Sequence, residues 1–391
     1  MTPKYSRGFH WLSIITLVVG ILLIWIGAAV TTTDSGMAFS DWPFSNGSIN
    51  PHGWLYVQPQ FLEHSHRLLA TTVGLLVLTM FIWQWLRAGL AGWVPVVLVS
   101  AFLFLVPAVH AADAMTKGVE NKLVVLAHSY GASSTVLWML TGVIWGAVLC
   151  WLFWGLLGSK WSTIVKLTAG TLVVVVAQAL LGGLRVLEVS DPLGMAHGTL
   201  GQLFYCLLVG IALVGSPKWS QGEILVTARQ HRTLIRISTI LFAAVSLQLL
   251  FGAIVRHSQR VVLAASDVLT TGGHFIPPTA PFDVFSIFMH KAWGLVVFAL
   301  AISAAIAAWK PLRGQGWASV LPKLLILLPI VQVTLGVYVL LTVKKFWVTN
   351  IHVLNGLGIL AVSFLLAVTA WRTRGTLGLI ASETSSSKRP V

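Results

Sequence analysis

Charged residues are scarce in this sequence. Only 9% of its 391 residues are Asp, Glu, Lys or Arg, whereas 57% are hydrophobic. Soluble domains carry about a quarter charged residues, so this composition excludes an ordinary water-soluble fold. The apolar residues form repeated runs of about 20, the length that crosses a bilayer as a helix. The composition therefore predicts an all-α polytopic membrane protein.

Cysteine and acidic residues are also few. The two cysteines, Cys150 and Cys206, each lie inside an apolar run, which excludes a disulfide framework or a CxxC motif. The 25 basic residues outnumber the 11 acidic ones, giving a net charge of +14. They stand at the ends of apolar runs, as topology signals do, and form no patch that indicates nucleic-acid binding.

Apolar runs broken by polar residues predict about ten transmembrane helices. They lie near residues 9–31, 62–87, 91–112, 123–156, 162–186, 192–214, 230–255, 283–308, 317–342 and 347–371. Most Lys and Arg residues fall on one side of these spans, while the loop from Thr31 to Phe61 has none. The basic side, with both termini, is predicted to be cytoplasmic. Residues 376–391 are predicted to form a disordered cytoplasmic tail.

An internal repeat relates the two halves of the chain. Glycines ending the first and seventh spans, and Gln-x-x-x-Gly segments in the fifth and ninth, each precede a histidine at a nearly constant distance. The pairs are Gly27–His66 and Gly252–His290, 39 and 38 residues apart, and Gln178–His197 and Gln332–His352, 19 and 20 apart. They predict two four-helix bundles, residues 1–215 and 216–375, with two helices inserted into the first at about 89–159.

The repeated histidines are candidate haem ligands. Each opens a span on the predicted outer side, and facing helices with one histidine each supply the axial ligands of haem in a bundle. A lone histidine near a helix end is more often an interface residue, but four at repeated positions favour ligation. The expected pairs are His66 with His197 and His290 with His352. His128 competes with His197, because it follows His66 by the same 62 residues that separate the second pair.

An acid distinguishes the two halves. Glu63 precedes His66 by three residues and so shares its helix face, whereas Ser286 takes that position before His290. One site is therefore expected to be reactive, with a carboxylate that positions or shuttles a proton, and the other to carry electrons. The alternative for Glu63 is a carboxylate that the helix dipole favours.

Several outward residues have two interpretations. Four cations either anchor the membrane interface or contact haem propionates: Arg67, Arg185, Arg256 and Lys291. Four further histidines are predicted to be loop or interface residues: His64, His110, His257 and His274.

These residues resemble the haem A synthases of the COX15/CtaA type. The Glu-x-x-His-Arg motif appears as Glu63, His66 and Arg67, and segments 35–43, 178–185 and 252–257 stand in similar contexts, as do His197-Gly198, His290-Lys291 and His352. The chain departs from the family in two ways. Phe39 and Ser45 replace a cysteine pair that many members have, and two spans are inserted.

The resemblance implies a reaction, in which the C8 methyl group of haem O becomes a formyl group through a hydroxymethyl intermediate. The product would be haem A for cytochrome oxidase. His66 and His197 would bind the substrate haem, Glu63 would be catalytic, and His290 and His352 would ligate a haem b cofactor.

The implied setting is a bacterial cytoplasmic membrane, with haem sites near its outer face. Implied partners are the lipid bilayer, haem O, an unidentified electron donor, haem O synthase and cytochrome oxidase assembly factors, with no nucleic acid. Whether the chain forms a homo-oligomer stays open.

Two other functions stay open. A bis-histidine di-haem electron carrier, or a haem-handling protein, would keep the four histidines but have no use for an acid at one site only. A structural or transport protein without haem would be colourless.

Overall fold

The computed structural model describes residues 5–94, 97–100, 108, 111, 114, 115, 118, 122–129, 133–158, 161–221, 224, 226–257, 267–277 and 281–386. Several side chains between 122 and 158, including that of His128, and those of residues 373–386 lie outside this description.

Helices form almost all of the regular structure in these residues, which contain no named strand. The helices are α1 Arg7–Thr32, α2 Gln58–Arg87, α3 Lys122–Ser129, α4 Ser134–Gly158, α5 Thr163–Glu188, α6 Asp191–Val214, α7 Pro217–Gln221, α8 Ala228–His257, α9 Phe282–Leu312, a 3₁₀ turn Gly316–Val320, α10 Leu321–Leu341 and α11 Phe346–Ser386.

Eight of the described helical segments are long and apolar enough to cross a membrane, which confirms the predicted all-α polytopic class. They correspond to eight of the ten predicted spans. The other two belong to the predicted insertion. The span near 91–112 falls mostly on residues outside the description, and the span near 123–156 overlaps α3 and α4, with residues 130–132 also outside it.

The chain divides into two compact units, Met1–His197 and Gly198–Val391. In the first unit, α2 packs against α1 and α5, and α5 also packs against α4. Small residues on the buried face of α1, such as Ser13, Thr16 and Gly20, allow the close approach that membrane helices use. The hydroxyl groups of Ser13 and Thr16 donate to backbone carbonyls of their own helix, so both hydroxyl hydrogens are hydrogen-bonded inside the apolar bundle.

The opposite face of α1 is an apolar stripe. Trp11, Ile15, Val18 and Leu22 follow one another at helical spacing and are all exposed. A soluble protein rarely exposes such a surface, whereas lipid tails cover it at no cost.

The second unit contains a closed bundle of four helices. α8 packs against α9, α9 against α10, α10 against α11, and α11 returns to α8. α11 is helical through Ser386, so it overlaps the segment predicted as a disordered tail; residues 387–391 lie outside the description. That tail and the boundary near residue 215 stay predictions.

Candidate functional site

Each unit brings together one pair of the repeated histidines. In the first unit, the ring centroids of His66 and His197 are 6.1 Å apart and the ring planes are inclined by 81°. In the second, the centroids of His290 and His352 are 6.5 Å apart and the planes are inclined by 62°. His66 and His290 are each the ninth residue of their helix, and His197 and His352 the seventh. We call these pairs the first site and the second site.

The spacing of both pairs suits two axial ligands of one metal ion. A metal–imidazole bond of about 2.0–2.1 Å, with about 1.1 Å from that nitrogen to the ring centroid, places two opposed rings about 6.3 Å apart. Among the described residues, no group of three or more His, Cys, Asp or Glu side chains could hold a bare metal ion. Two histidines alone therefore fit a metal whose other ligands come with it, as in haem.

Each histidine ring rests on a glycine of a neighbouring helix. A Cβ atom on the glycine would lie 2.9–3.4 Å from Cε1 of the ring. Three of these four distances are shorter than an ordinary van der Waals contact, and the fourth, at Gly336, is at its lower limit. The pairs are Gly27 with His66, Gly182 with His197, Gly252 with His290, and Gly336 with His352. These are the same glycines that mark the repeat in the sequence, so their recurrence has a steric reason.

Gly27→Ala is expected to displace the His66 ring, because the new methyl group would lie 2.9 Å from Cε1 and 3.2 Å from Nδ1. We expect haem occupancy of the first site to fall about tenfold, a usual cost of disturbing a ligand's supports. Gly74→Ala on α2 is the control, since a Cβ there meets no atom within 4 Å. Haem extracted from the two purified variants measures the effect, and equal occupancy would contradict it.

The His197 ring is oriented by a backbone carbonyl. Its Nδ1 lies 3.1 Å from the carbonyl oxygen of Gln178. A carbonyl oxygen can only accept, so Nδ1 carries the proton and Nε2 keeps its lone pair for a metal.

Glutamine side chains contact both rings of the second site. The Gln248 amide nitrogen lies 3.1 Å from Nδ1 of His290 and donates to the His290 carbonyl. The Gln332 amide nitrogen lies 3.2 Å from Nε2 of His352, and Asn355 donates to the Gln332 side-chain oxygen at 2.7 Å. Gln248 was not among the residues predicted from the sequence, although Gln248 and Gly252 repeat the spacing of Gln178 and Gly182.

Glu63 is buried and paired beside the first site. Its Oε1 forms an ion pair of 2.5 Å with Arg67, and its Oε2 accepts from the Phe39 backbone N–H at 3.1 Å. Only 3% of Glu63 is exposed. Both partners are needed there, because a buried carboxylate without them would be strongly disfavoured.

The loop before α2 and the described part of the loop before α9 contain the same kind of turn. Asn46-Gly47 and Gly272-Gly273 form two-residue turns with positive φ at both positions, closed by bridges between Ser45 and Ser48 and between Thr271 and His274. Asp41 accepts from the N–H groups of both turn residues at 2.7 Å, and Asp267 accepts from Gly273 at 3.1 Å.

The cation that directly follows the first histidine of each pair, Arg67 or Lys291, holds this loop. Arg67 donates to the carbonyls of Asp41 and Phe44 at 2.6 and 2.5 Å, and Lys291 to those of Asp267 and Thr270 at 2.6 and 2.8 Å. Contacts of Arg67 and Lys291 with the propionate groups of a haem stay predictions. The loop repeat went unnoticed in the sequence, although both loops have an Asp followed by a Ser/Thr-Asn/Gly-Gly turn.

Further contacts fasten the first loop. The Trp42 indole packs on Gly183, and the Arg185 guanidinium lies against Gly36. His64, which the sequence suggests is a loop or interface residue, is buried, with Nδ1 3.0 Å from the Ser45 hydroxyl and its ring against Trp54. Arg256 is partly buried in the last turn of α8.

Comparison with known proteins gives a consistent result. A family model described as cytochrome oxidase assembly protein, COX15-CtaA, matches residues 136–364, more than half of the chain. The chain is 37% identical over 89 residues to a protein named Heme A synthase of Lysinibacillus sphaericus, covering 22% of this chain and 28% of that one. A protein of the same name from Bacillus licheniformis is 39% identical over 85 residues, which cover 22% of this chain and 27% of that protein. Another, from Shouchella clausii, is 33% identical over 135 residues, which cover 33% of this chain and 42% of that protein. The chain thus spans less than half the length of these relatives.

Proposed function

This chain belongs to the COX15-CtaA family of cytochrome oxidase assembly proteins, and from that premise we propose that it is a haem A synthase. The proposed reaction oxidises the C8 methyl group of haem O to a formyl group. The observation that carries the proposal is the buried carboxylate of Glu63 on the helix of His66, in the first site only. A haem carrier with two equivalent sites would have no reason for that difference.

We assign the histidines by this asymmetry. His66 and His197 would hold the substrate haem O, beside Glu63, and His290 and His352 would hold a resident haem b. When bound, haem b would supply one-electron transfer from a separate donor. Gln248 and Gln332 would hold the rings of the second site, and the carbonyl of Gln178 would direct the proton of His197 to Nδ1.

The oxidation needs an oxidant and a reductant. In the proposed balance, each of two steps uses dioxygen, two electrons from the donor and two protons, and releases water. The first step gives the hydroxymethyl group, and the second gives a hydrated aldehyde that loses water to become the formyl group.

Glu63 would handle protons at its carboxylate. Arg67 and the Phe39 N–H fix both oxygens in place, yet a carboxylate has about four lone-pair directions, so acceptor capacity remains. The clamped outer loop would keep bulk water from this carboxylate, since Phe39 and Ser45 in it are buried.

The protein is an integral, multi-pass membrane protein. We propose that it lies in a bacterial cytoplasmic membrane with cytoplasmic termini and both sites near the outer face, as its Lys and Arg distribution indicates. Haem O synthase would supply the substrate, and cytochrome oxidase assembly factors would receive the product.

Complementation tests the proposal. A bacterial host that makes haem O but has lost its own haem A synthase would be given this chain, and haems would be extracted from its membranes. Haem A is the expected result. If the membranes contain the protein but only haem B and haem O, the proposed function is wrong and the di-haem carrier becomes the better account.

A further inference from the structure

Two axial histidines leave a bound haem one degree of freedom. They hold the iron and the plane of the porphyrin, but the ring can still turn about the line through the two ligands. Under the proposed function one particular methyl group must react, so this rotation has to be fixed, because a reacting group must be held within reach of its partner. The first site therefore needs a further contact with the edge of the porphyrin.

Arg185 is the cation best placed to make that contact. It stands on α5, three residues after Gly182, on which the His197 ring rests. Its charge is close enough to act on the rings of both His66 and His197. Among the described residues it forms no ion pair, and its one hydrogen bond is long, 3.5 Å from Nη1 to the Gly36 carbonyl. Most of its five N–H donors thus have no acceptor in the described part of the protein.

Arg67, the other arginine of the first site, already has its acceptors. Its guanidinium donates to the Glu63 carboxylate and to the carbonyls of Asp41 and Phe44. These bonds hold the loop before α2, which leaves the edge of the porphyrin to Arg185.

The repeat gives no structural reason for an arginine where Arg185 stands. Three residues after Gly336, the matching glycine of the second unit, the chain has Val339. The second unit nevertheless has its own arginine near a histidine, since Arg256 is close enough to His352 for its charge to act on that ring. This arginine is on α8, the counterpart of α1 rather than of α5. An arginine recurs near the histidines but on a different helix, as expected if it serves a ligand and not the packing of the bundle.

We propose that Arg185 binds a propionate of haem O and so fixes the register in which the first site presents this substrate to Glu63. This inference rests on the proposed function. The C8 methyl group and one propionate are neighbouring substituents of the same pyrrole ring, so a cation that holds the propionate also sets the position of the methyl group. A planar guanidinium and a carboxylate can form two parallel hydrogen bonds, which fix direction as well as distance.

One short loop segment joins Arg185 to Glu63. The guanidinium lies against Gly36, where a Cβ atom would be only 2.5 Å from Nη1, and the Phe39 N–H donates to Glu63 at 3.1 Å. Three residues of chain reach at most about 11 Å from Gly36 to Phe39, and this segment turns, which shortens it. The cation and the carboxylate therefore border the same short stretch of loop, as contacts to neighbouring substituents of one pyrrole ring require.

Binding of haem O and of its dimethyl ester to purified, full-length protein tests this proposal. Methylation of both propionates removes their charges and leaves the rest of the porphyrin unchanged. In each titration, the haem retained per chain would be extracted and separated from haem B by chromatography. Wild type should bind haem O about tenfold more tightly than the ester, the usual contribution of hydrogen bonds to a charged group.

Arg185→Met should bind haem O as weakly as wild type binds the ester, with no preference between the two forms. Arg185→Lys, which keeps the charge but loses the planar fork, should retain part of the preference. Leu184→Met, at an exposed neighbouring position of α5, is the control and should retain all of it. If Arg185→Met prefers haem O as strongly as wild type does, another cation holds the propionate and the proposal is wrong. An equal loss of both forms would also contradict it, because Arg185 would then only support the loop.

Product formation tests the register separately. With haem O bound, Arg185→Met should form about tenfold less hydroxymethyl and formyl haem per bound haem, because the C8 methyl group would no longer be held beside Glu63. An unchanged yield per bound haem would contradict the positioning role. If even the wild type oxidises no haem O, the proposed function fails, while the comparison of acid and ester still shows whether Arg185 binds a propionate.

Discussion

Replacing Glu63 with glutamine is expected to lower formation of oxidised haem at least about 100-fold, the usual range for a positioned proton-transfer group. Both haems should stay bound, because the side chain keeps its shape and its oxygen can still accept from the Phe39 N–H. The measurement is the ratio of hydroxymethyl and formyl haem to haem O in extracts of the purified variant. Haem content per chain, measured on the same sample, reports whether the first site survives.

A structural role of Glu63 must be separated from this chemical one. Removing one partner of a buried ion pair costs about 3–5 kcal/mol, so the unfolding temperature of Glu63→Gln should fall as well. Ser286→Ala, at the matching position of the second unit, is the control and should leave product formation unchanged. If Glu63→Gln retains full product formation, Glu63 only fastens the loop to Arg67.

Replacing His352 with alanine is expected to remove haem B from the protein and to reduce product formation to background. Among the described residues, no third His, Cys, Asp or Glu joins the pair of His290 and His352, so under the proposal the loss of one ring would remove half of the protein ligands of the haem iron. Haem O should remain in the first site, because His66 and His197 belong to the other unit.

His274→Ala is the matched control, since this histidine is exposed in the loop before α9 of the same unit. It should keep haem B and normal product formation. Should His352→Ala lose haem B and yet form product at the wild-type rate, the resident haem would have no part in the reaction.

The class of fold could be predicted from the sequence because lipid solvation imposes one requirement on every span. Trp11, Ile15 and Leu22 are apolar although they are exposed, as side chains that face lipid are expected to be. Helix starts were predicted less well. α2 begins at Gln58 rather than near 62, because Pro59 sets the first turn and the segment before Phe61 is only weakly apolar.

The histidine pairs were predicted from spacing, since a repeat preserves positions that share a structural task. The contacts around them could not be predicted, because they join residues far apart in the chain. Arg67 and Lys291 are interface or propionate candidates in the sequence. Besides the ion pair of Arg67 with Glu63, both cations donate to loop carbonyls more than 20 residues away. The burial of His64 against Trp54 and Ser45 likewise depends on how the loop closes.

The most direct test of the central claim is the identity of the haems bound by the purified chain. It would be produced together with a haem O synthase in a host that makes no haem A, with a reductant and dioxygen present. We expect haem B together with hydroxymethyl or formyl derivatives of haem O. A folded, haem-loaded protein that yields only haem B and unchanged haem O would contradict the account and identify the chain as a carrier of haem or electrons.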